Sequence, residues 1–263
     1  MSQIFAPNIL KNETVIVTGG GSGIGERIAE ELGSLGAKIA IGSRKPERIA
    51  AATERLRERG VDAVGATLDI RNEESIEAFL AFVASKMGPT SILINNAGGQ
   101  FPSPAEGISP KGWRAVIDTN LNGTWLMTQA VAKGMLKRKQ GKIINIVANM
   151  WRGFPGMVHT GAARAGVVNM TKTLSLEWAK SGLRVNAIAP GVIRSSGLET
   201  YPEAVRAAIE TEVPKQIPLK TLGDMNDVAW AVAFLASPAG NYVTGETFRV
   251  DGGQSLWGMS FPV

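Results

Sequence analysis

Residues Thr18-Gly19-Gly20-Gly21-Ser22-Gly23-Ile24-Gly25 carry the clearest chemical capacity in this chain. They follow an apolar run, Val15-Ile16-Val17, and lead into Ile24, Ile28, Leu32 and Leu35, spaced as one face of a helix. A strand that ends in a glycine-dense turn and enters a helix presents backbone N–H groups and the positive end of the helix dipole. Both attract a pyrophosphate. The glycine spacing, Gly19-x-x-x-Gly23-x-Gly25, is not the G-x-G-x-x-G pattern, so the turn by itself says only that an anion fits. Thr18, Gly19, Ser22, Gly23, Ile24 and Gly25 are the expected contacts.

The second strand, Lys38-Ile39-Ala40-Ile41, runs into Gly42-Ser43-Arg44-Lys45 with no carboxylate before Glu47. In dinucleotide-binding sheets an acid at this point holds the ribose hydroxyls, whereas the planar fork of an arginine accommodates a 2′-phosphate. Ser43 and Arg44 therefore favour NADP(H) over NAD(H). Asp69 and Ile70 follow the third strand and belong to the same expected site. Asp69 is placed either to meet the adenine edge or to cap the next helix.

These residues need a frame to hold them. Strand-like runs at Lys38–Ser43, Ala63–Leu68, Ser91–Asn95, Lys142–Val147, Arg184–Ala189 and Glu246–Val250 follow the first strand. Helical segments lie between them at Pro46–Arg59, Asn72–Met87, Lys111–Arg138, Thr160–Ser181 and Met225–Ala236. The alternation predicts an α/β fold: one doubly wound Rossmann-type domain with a seven-stranded parallel sheet and ligands at the carboxyl ends of its strands. No linker or repeat divides the chain, so residues 1–263 are expected to form a single NADP-binding domain. The stretch Arg194–Leu222, with Pro202, Pro214 and Pro218, breaks the rhythm and is expected to cover the substrate as a flap.

Composition removes whole classes of function. The 263 residues include no cysteine, which excludes disulfides, thiolate metal sites and cysteine nucleophiles. The one histidine, His159, leaves no zinc ligand set, and no metal is expected. No apolar run reaches the roughly 18 residues of a membrane span. A signal peptide is not visible, and Phe261-Pro262-Val263 is not a Ser-Lys-Leu address, so a cytoplasmic location is expected. The net charge of +5 is spread along the chain. Lys137-Arg138-Lys139 reads as a solvated helix end, so no nucleic-acid partner is expected.

With these motifs in place, the chain resembles a short-chain dehydrogenase/reductase over essentially its whole length. Asn95-Asn96-Ala97-Gly98 follows the fourth strand, where relatives line the cofactor, which implies roles for Asn96, Ala97 and Gly98. Asp118-Thr119-Asn120 places Asn120 at the family's catalytic asparagine. Pro190-Gly191-Val192-Ile193 and Ser195 stand where relatives hold the nicotinamide amide. The departure lies in the catalytic helix. Relatives carry Tyr-x-x-x-Lys, but here Thr160 takes the tyrosine slot and Arg164 the lysine slot. The preceding serine region reads Val147-Ala148-Asn149, and the only tyrosines are Tyr201 and Tyr242.

That change disfavours interconversion of alcohol and ketone, because threonine has no accessible pKa and arginine stays protonated. Reducing a double bond conjugated to a thioester is less demanding. Hydride adds at the β-carbon, donors stabilise the enolate oxygen, and the α-carbon is protonated later. Asn120 and Thr160 are the expected donors and Arg164 the expected ribose contact; His159 is either a proton source or a histidine bonded at a helix start. Gly98–Glu106 and His159–Val167 are similar to segments of the peroxisomal trans-2-enoyl-CoA reductases. The resemblance implies NADPH-dependent reduction of an acyl-CoA thioester, including branched or terpenoid chains, by a homo-oligomer (tetramer or dimer). A terpenoid alcohol or aldehyde dehydrogenase and a catalytically silent NADP-binding sensor or scaffold are the alternatives.

Overall fold

The computed structural model describes residues 4–198 and 203–256. Its strands are β1 (Thr14–Thr18), β2 (Lys38–Ser43), β3 (Ala63–Thr67), β4 (Ile92–Asn95), β5 (Gly141–Ile146), β6 (Leu183–Pro190), β7 (Ile193–Arg194), β8 (Gly223–Asp224) and β9 (Thr247–Val250). The helices are α1 (Gly23–Ser34), α2 (Pro46–Glu58), α3 (Glu73–Met87), α4 (Pro110–Ile117), α5 (Gly123–Arg138), α6 (Val158–Trp178), α7 (Glu203–Glu212) and α8 (Met225–Ala236). Seven strands form one parallel sheet in the order β3-β2-β1-β4-β5-β6-β9, and β7 pairs with β8 beside it. The expected doubly wound Rossmann-type fold is present. The strand order reverses between β1 and β4, which opens a crevice at their carboxyl ends.

Both faces of the sheet are covered, and the strand sequences show why. Successive side chains point to opposite faces. Val15 and Val17 enter the core layer that holds Ile28 and Leu32 of α1, Leu56 of α2 and Val232 of α8. Ile16 enters the other layer, with Phe79 of α3, Met127 and Val131 of α5 and Leu174 of α6. Ile92, Leu93 and Ile94 divide in the same way. Strands buried on two faces have no polar side to alternate with, hence the continuous apolar runs.

Two elements depart from expectation. The segment 111–138 is not one helix: a five-residue π-helical turn, Asp118–Asn122, separates α4 from α5. Thr119 Oγ1 donates to the Ala115 carbonyl and Thr124 Oγ1 to the Asn120 carbonyl, each at 2.9 Å. Such hydroxyls compete with the backbone ladder and widen the turn around Asn120. Within the expected flap, the described residues form β7, α7, a 3₁₀ turn at Pro214–Gln216 and β8. Among the described residues no helix is long and apolar enough to cross a membrane, and no group of His, Asp and Glu is placed to hold a metal.

Candidate active site

The glycine turn is held from below. Gly19 adopts φ +67°, a left-handed conformation that a side chain would strain, and its N–H donates to the Gly42 carbonyl at 2.7 Å. Thr18 Oγ1 accepts the N–H groups of Asn96 and Ala97, both at 3.0 Å, and Asn96 Nδ2 donates back to the Thr18 carbonyl at 3.0 Å. These bonds lock the ends of β1 and β4 together. Thr18 is buried beneath the turn, where its hydroxyl and carbonyl position the Asn96–Ala97 segment that lines the cavity.

The other expected cofactor residues line one cavity of about 1360 Å³ at the carboxyl ends of the strands. Gly19, Ser22, Gly23, Ile24 and Gly25 form its phosphate side. Ser22 is the residue before α1, and its hydroxyl makes no cap bond, which leaves the first N–H groups of that helix without a side-chain acceptor. Pro190, Gly191, Ile193 and Ser195 line the same cavity, and the Ser195–Ser196 segment packs against Gly23. Ser43, Arg44, Asp69, Ile70, Asn96, Ala97 and Gly98 complete the wall.

Arg44 is exposed and forms no ion pair among the described residues. Lys45 and Arg48 stand on the same wall. Neither is among the expected contacts, although the run Arg44-Lys45 with Arg48 one helical turn later signals a cation cluster. Asp69 is not the helix cap: Asn72 Oδ1 accepts the Ser75 N–H at 2.7 Å. Both oxygens of Asp69 are taken by Arg71, at 2.9 and 2.6 Å. The guanidinium of Arg71 holds the Asp69 carboxyl below its ordinary range, with a smaller effect from Arg44.

Asn120 is buried in the π-helical turn, where Nδ2 donates to the carbonyls of Gly99 (2.6 Å) and Val116 (2.9 Å). Oδ1 accepts the Gly99 N–H at 3.3 Å, so the amide ties the Gly99 backbone to the turn. Thr160 is fully buried, lies off the cavity wall and faces His159 Nδ1. His159 Nδ1 accepts the Thr160 N–H at 2.9 Å, while Nε2 is buried with no partner and the ring meets Phe101 edge-on. It too lies off the cavity wall.

Arg164 does line the cavity. Its Nη1 donates to the Ile146 carbonyl at 2.8 Å, and its buried Nε has no partner among the described residues. Burial pushes its pKa down to about 10. The guanidinium lies over Gly98, where a Cβ would collide with it and come within 2.7 Å of Asn120 Oδ1. Only glycine admits this arginine. Beyond it the cavity continues along Asn149, Arg152, Phe154, Met157, Ile209, Val213 and Gln254. No described tyrosine lines it: Tyr242 is fully exposed, and Tyr201 lies outside the described residues.

An uncapped helix terminus, an unpaired arginine at the end of β2 and a buried guanidinium with an unused N–H together fit a phosphate-bearing dinucleotide. A family model described as enoyl-(acyl carrier protein) reductase matches residues 19–255. The chain belongs to the short-chain dehydrogenase/reductase family. It is therefore an oxidoreductase of a family that works with a nicotinamide cofactor. A probable 2,4-dienoyl-CoA reductase of Bacillus subtilis is 36% identical over 251 residues, which cover 94% of this chain and 98% of that one. The structure of a citronellol catabolism dehydrogenase of Pseudomonas aeruginosa is 41% identical, with a TM-score of 0.86 over 97% of this chain and 100% of that one. Actinorhodin polyketide ketoreductase, crystallised with NADPH, is 33% identical with a TM-score of 0.89, covering 96% and 100%.

Proposed function

We propose that this protein is an NADPH-dependent reductase of the double bond conjugated to an acyl thioester, of the enoyl-CoA type. The observation that carries the reading is the polar but acid-poor cavity: it presents Arg164 and Asn149, and no described tyrosine, where the reacting carbonyl would sit. When bound, NADPH supplies the hydride. Ser22 and the start of α1 hold its pyrophosphate, and Arg44 with Lys45 and Arg48 holds the 2′-phosphate.

Arg164 offers N–H groups to ribose hydroxyls or to the thioester oxygen as negative charge collects there. A donor in a buried site is worth far more than one in water. Asn120 keeps Gly98 low enough for the guanidinium to lie over it. The α-carbon takes its proton from water: the described wall carries no histidine or tyrosine, and its one carboxylate, Asp69, is engaged by Arg71. Phe154 and Met157, with Ile209 and Val213 from the flap, offer an apolar wall to the acyl chain. At about 1360 Å³ the cavity exceeds the roughly 300–1,000 Å³ of a single-ligand pocket, so cofactor and thioester have room together.

Mixing the protein with NADPH and crotonyl-CoA should oxidise the cofactor, read at the nicotinamide absorbance band. Cofactor binding without oxidation across a panel of enoyl-CoAs would overturn the reading in favour of a silent NADP-binding protein. The likeness to a citronellol catabolism dehydrogenase favours a second reading, a terpenoid alcohol or aldehyde dehydrogenase. Reduction of NADP⁺ by citronellol would select it.

A further inference from the structure

A second cavity, of about 280 Å³, lies at the amino ends of the strands, at the opposite end of the sheet from the candidate active site. Glu13, just before β1, lines it together with Ile92 of β4, Lys142 of β5 and Arg184 of β6. Lys142 pairs in register with Ile92 on one side and with Arg184 on the other, so these three side chains share one face of the sheet. Leu10, Ala236 and Pro238 add to the apolar part of the wall. The volume is below the roughly 300–1,000 Å³ of a pocket for a drug-sized ligand, which leaves room for a short acyl group but not for a whole coenzyme.

Lys142 is half-buried there, and its Nζ donates to the carbonyls of Ala236 (2.9 Å) and Ser237 (2.6 Å) at the end of α8. An ammonium carries three N–H groups, so one position has no partner among the described residues. Loss of a proton keeps both bonds and turns that third position into a lone pair. Burial pushes the pKa of Lys142 down to about 8; the Glu13 carboxylate opposes the fall and the Arg184 guanidinium adds to it. At pH 8 about half of such an amine is neutral, against well under 1% at the ordinary lysine value of about 10.4. Arg184 donates from Nε to the Asn241 carbonyl at 2.6 Å and from Nη1 to the Leu183 carbonyl at 3.2 Å. Its Nη2 has no partner among the described residues.

We propose that Lys142 is an acylation site, at which the amine takes the acyl group of a small thioester. The step uses no residue of the candidate active site. Nζ attacks the thioester carbonyl carbon, the C–S bond breaks, and the thiolate leaves as a thiol with the proton that the amine gives up. The products are an amide on Lys142 and a free thiol. Arg184 Nη2 is the donor for the carbonyl oxygen as negative charge collects on it, and the apolar wall takes the acyl chain. The amide keeps one N–H for two carbonyls, so the modification removes a hydrogen bond and a cation from the end of α8.

Incubation with S-acetyl-N-acetylcysteamine at pH 8 without NADPH, followed by peptide mass spectrometry, reads each lysine separately. Lys142 should be labelled about fivefold or more faster than the exposed Lys86 and Lys133. The neutral amine accumulates as pH rises through its pKa. The rate at Lys142 should therefore climb about tenfold per pH unit below about 8 and level off above it. Glu13→Gln removes the carboxylate that favours the ammonium, so the levelling should move to lower pH. Labelling no faster than at Lys86, a rate that climbs without levelling, or a profile unmoved in Glu13→Gln would overturn the site. No reduction is read, so each outcome stands apart from the enoyl-thioester reading.

Discussion

The two ends of the cavity are built differently. At the β1–β2 end, the backbone makes the site: Gly19 is tied to Gly42, Thr18 and Asn96 clamp each other, and α1 begins without a side-chain cap. At the β5–β9 end, side chains make it: among the described residues the Arg164 Nε lacks a partner, Arg152 forms no ion pair, and the Asn149 amide has only a long contact to Gln254. The first arrangement allows little variation at Gly19 and Gly25, where an added Cβ would come within 3.0 Å of backbone. The second allows substitutions that change the chemistry while the sheet stays intact.

The sharpest way to break this contrast is to remove the one buried cation. Arg164→Met should lower kcat for enoyl-thioester reduction by about 10²- to 10³-fold, the range found when a preorganised donor is lost. Retention of kcat within a few fold would show that the substrate end does not depend on it. The same group sets the pH response. The guanidinium is charged below its pKa of about 10 and neutral above it, so kcat should stay level through neutral pH and fall as pH rises through about 10. A pH–rate profile of wild type checks this limb, which Arg164→Met should lack.

At the other end, Gly19→Val places a Cβ 3.0 Å from Ala97 Cα in a backbone conformation unfavourable to valine. Strain and overpacking of 1–3 kcal/mol each predict about 100-fold weaker NADPH binding by calorimetry. Arg44→Asp should reverse the preference between NADPH and NADH, with a change in affinity ratio of roughly 30-fold or more, since a lost charge pair costs about 2–5 kcal/mol. Unchanged affinities would remove Arg44 from phosphate recognition. The smallest effect belongs to Thr160→Val: with its hydroxyl off the cavity wall, kcat should change by less than about twofold, in line with the modest cost of substitutions away from a network. A large loss would return Thr160 to the mechanism.

Much of the frame was legible because it rests on local pattern. Apolar runs such as Val15-Ile16-Val17 and Ile92-Leu93-Ile94 announce strands buried on both faces, and α8 begins and ends where its periodicity does. The break at Asp118–Asn122 was not legible, because no proline or other breaker residue marks it in the sequence. Thr18 and Asn120 stand out in the sequence, but the groups they bond to do not. Their types suit ligand contact as well as they suit holding a loop, and only their partners distinguish the two.

The sequence by itself determined the doubly wound sheet and the glycine turn at its mouth. Each of these depends on residue type and spacing along the chain. Tertiary structure decided which polar groups are free to act. A polar group is available only if nothing nearby has claimed it. Asp69 and Thr160 face their chain neighbours Arg71 and His159, and Asn120 is tied to Gly99 of another segment, orientations fixed only on folding, whereas Arg164 keeps an Nε–H without a partner among the described residues.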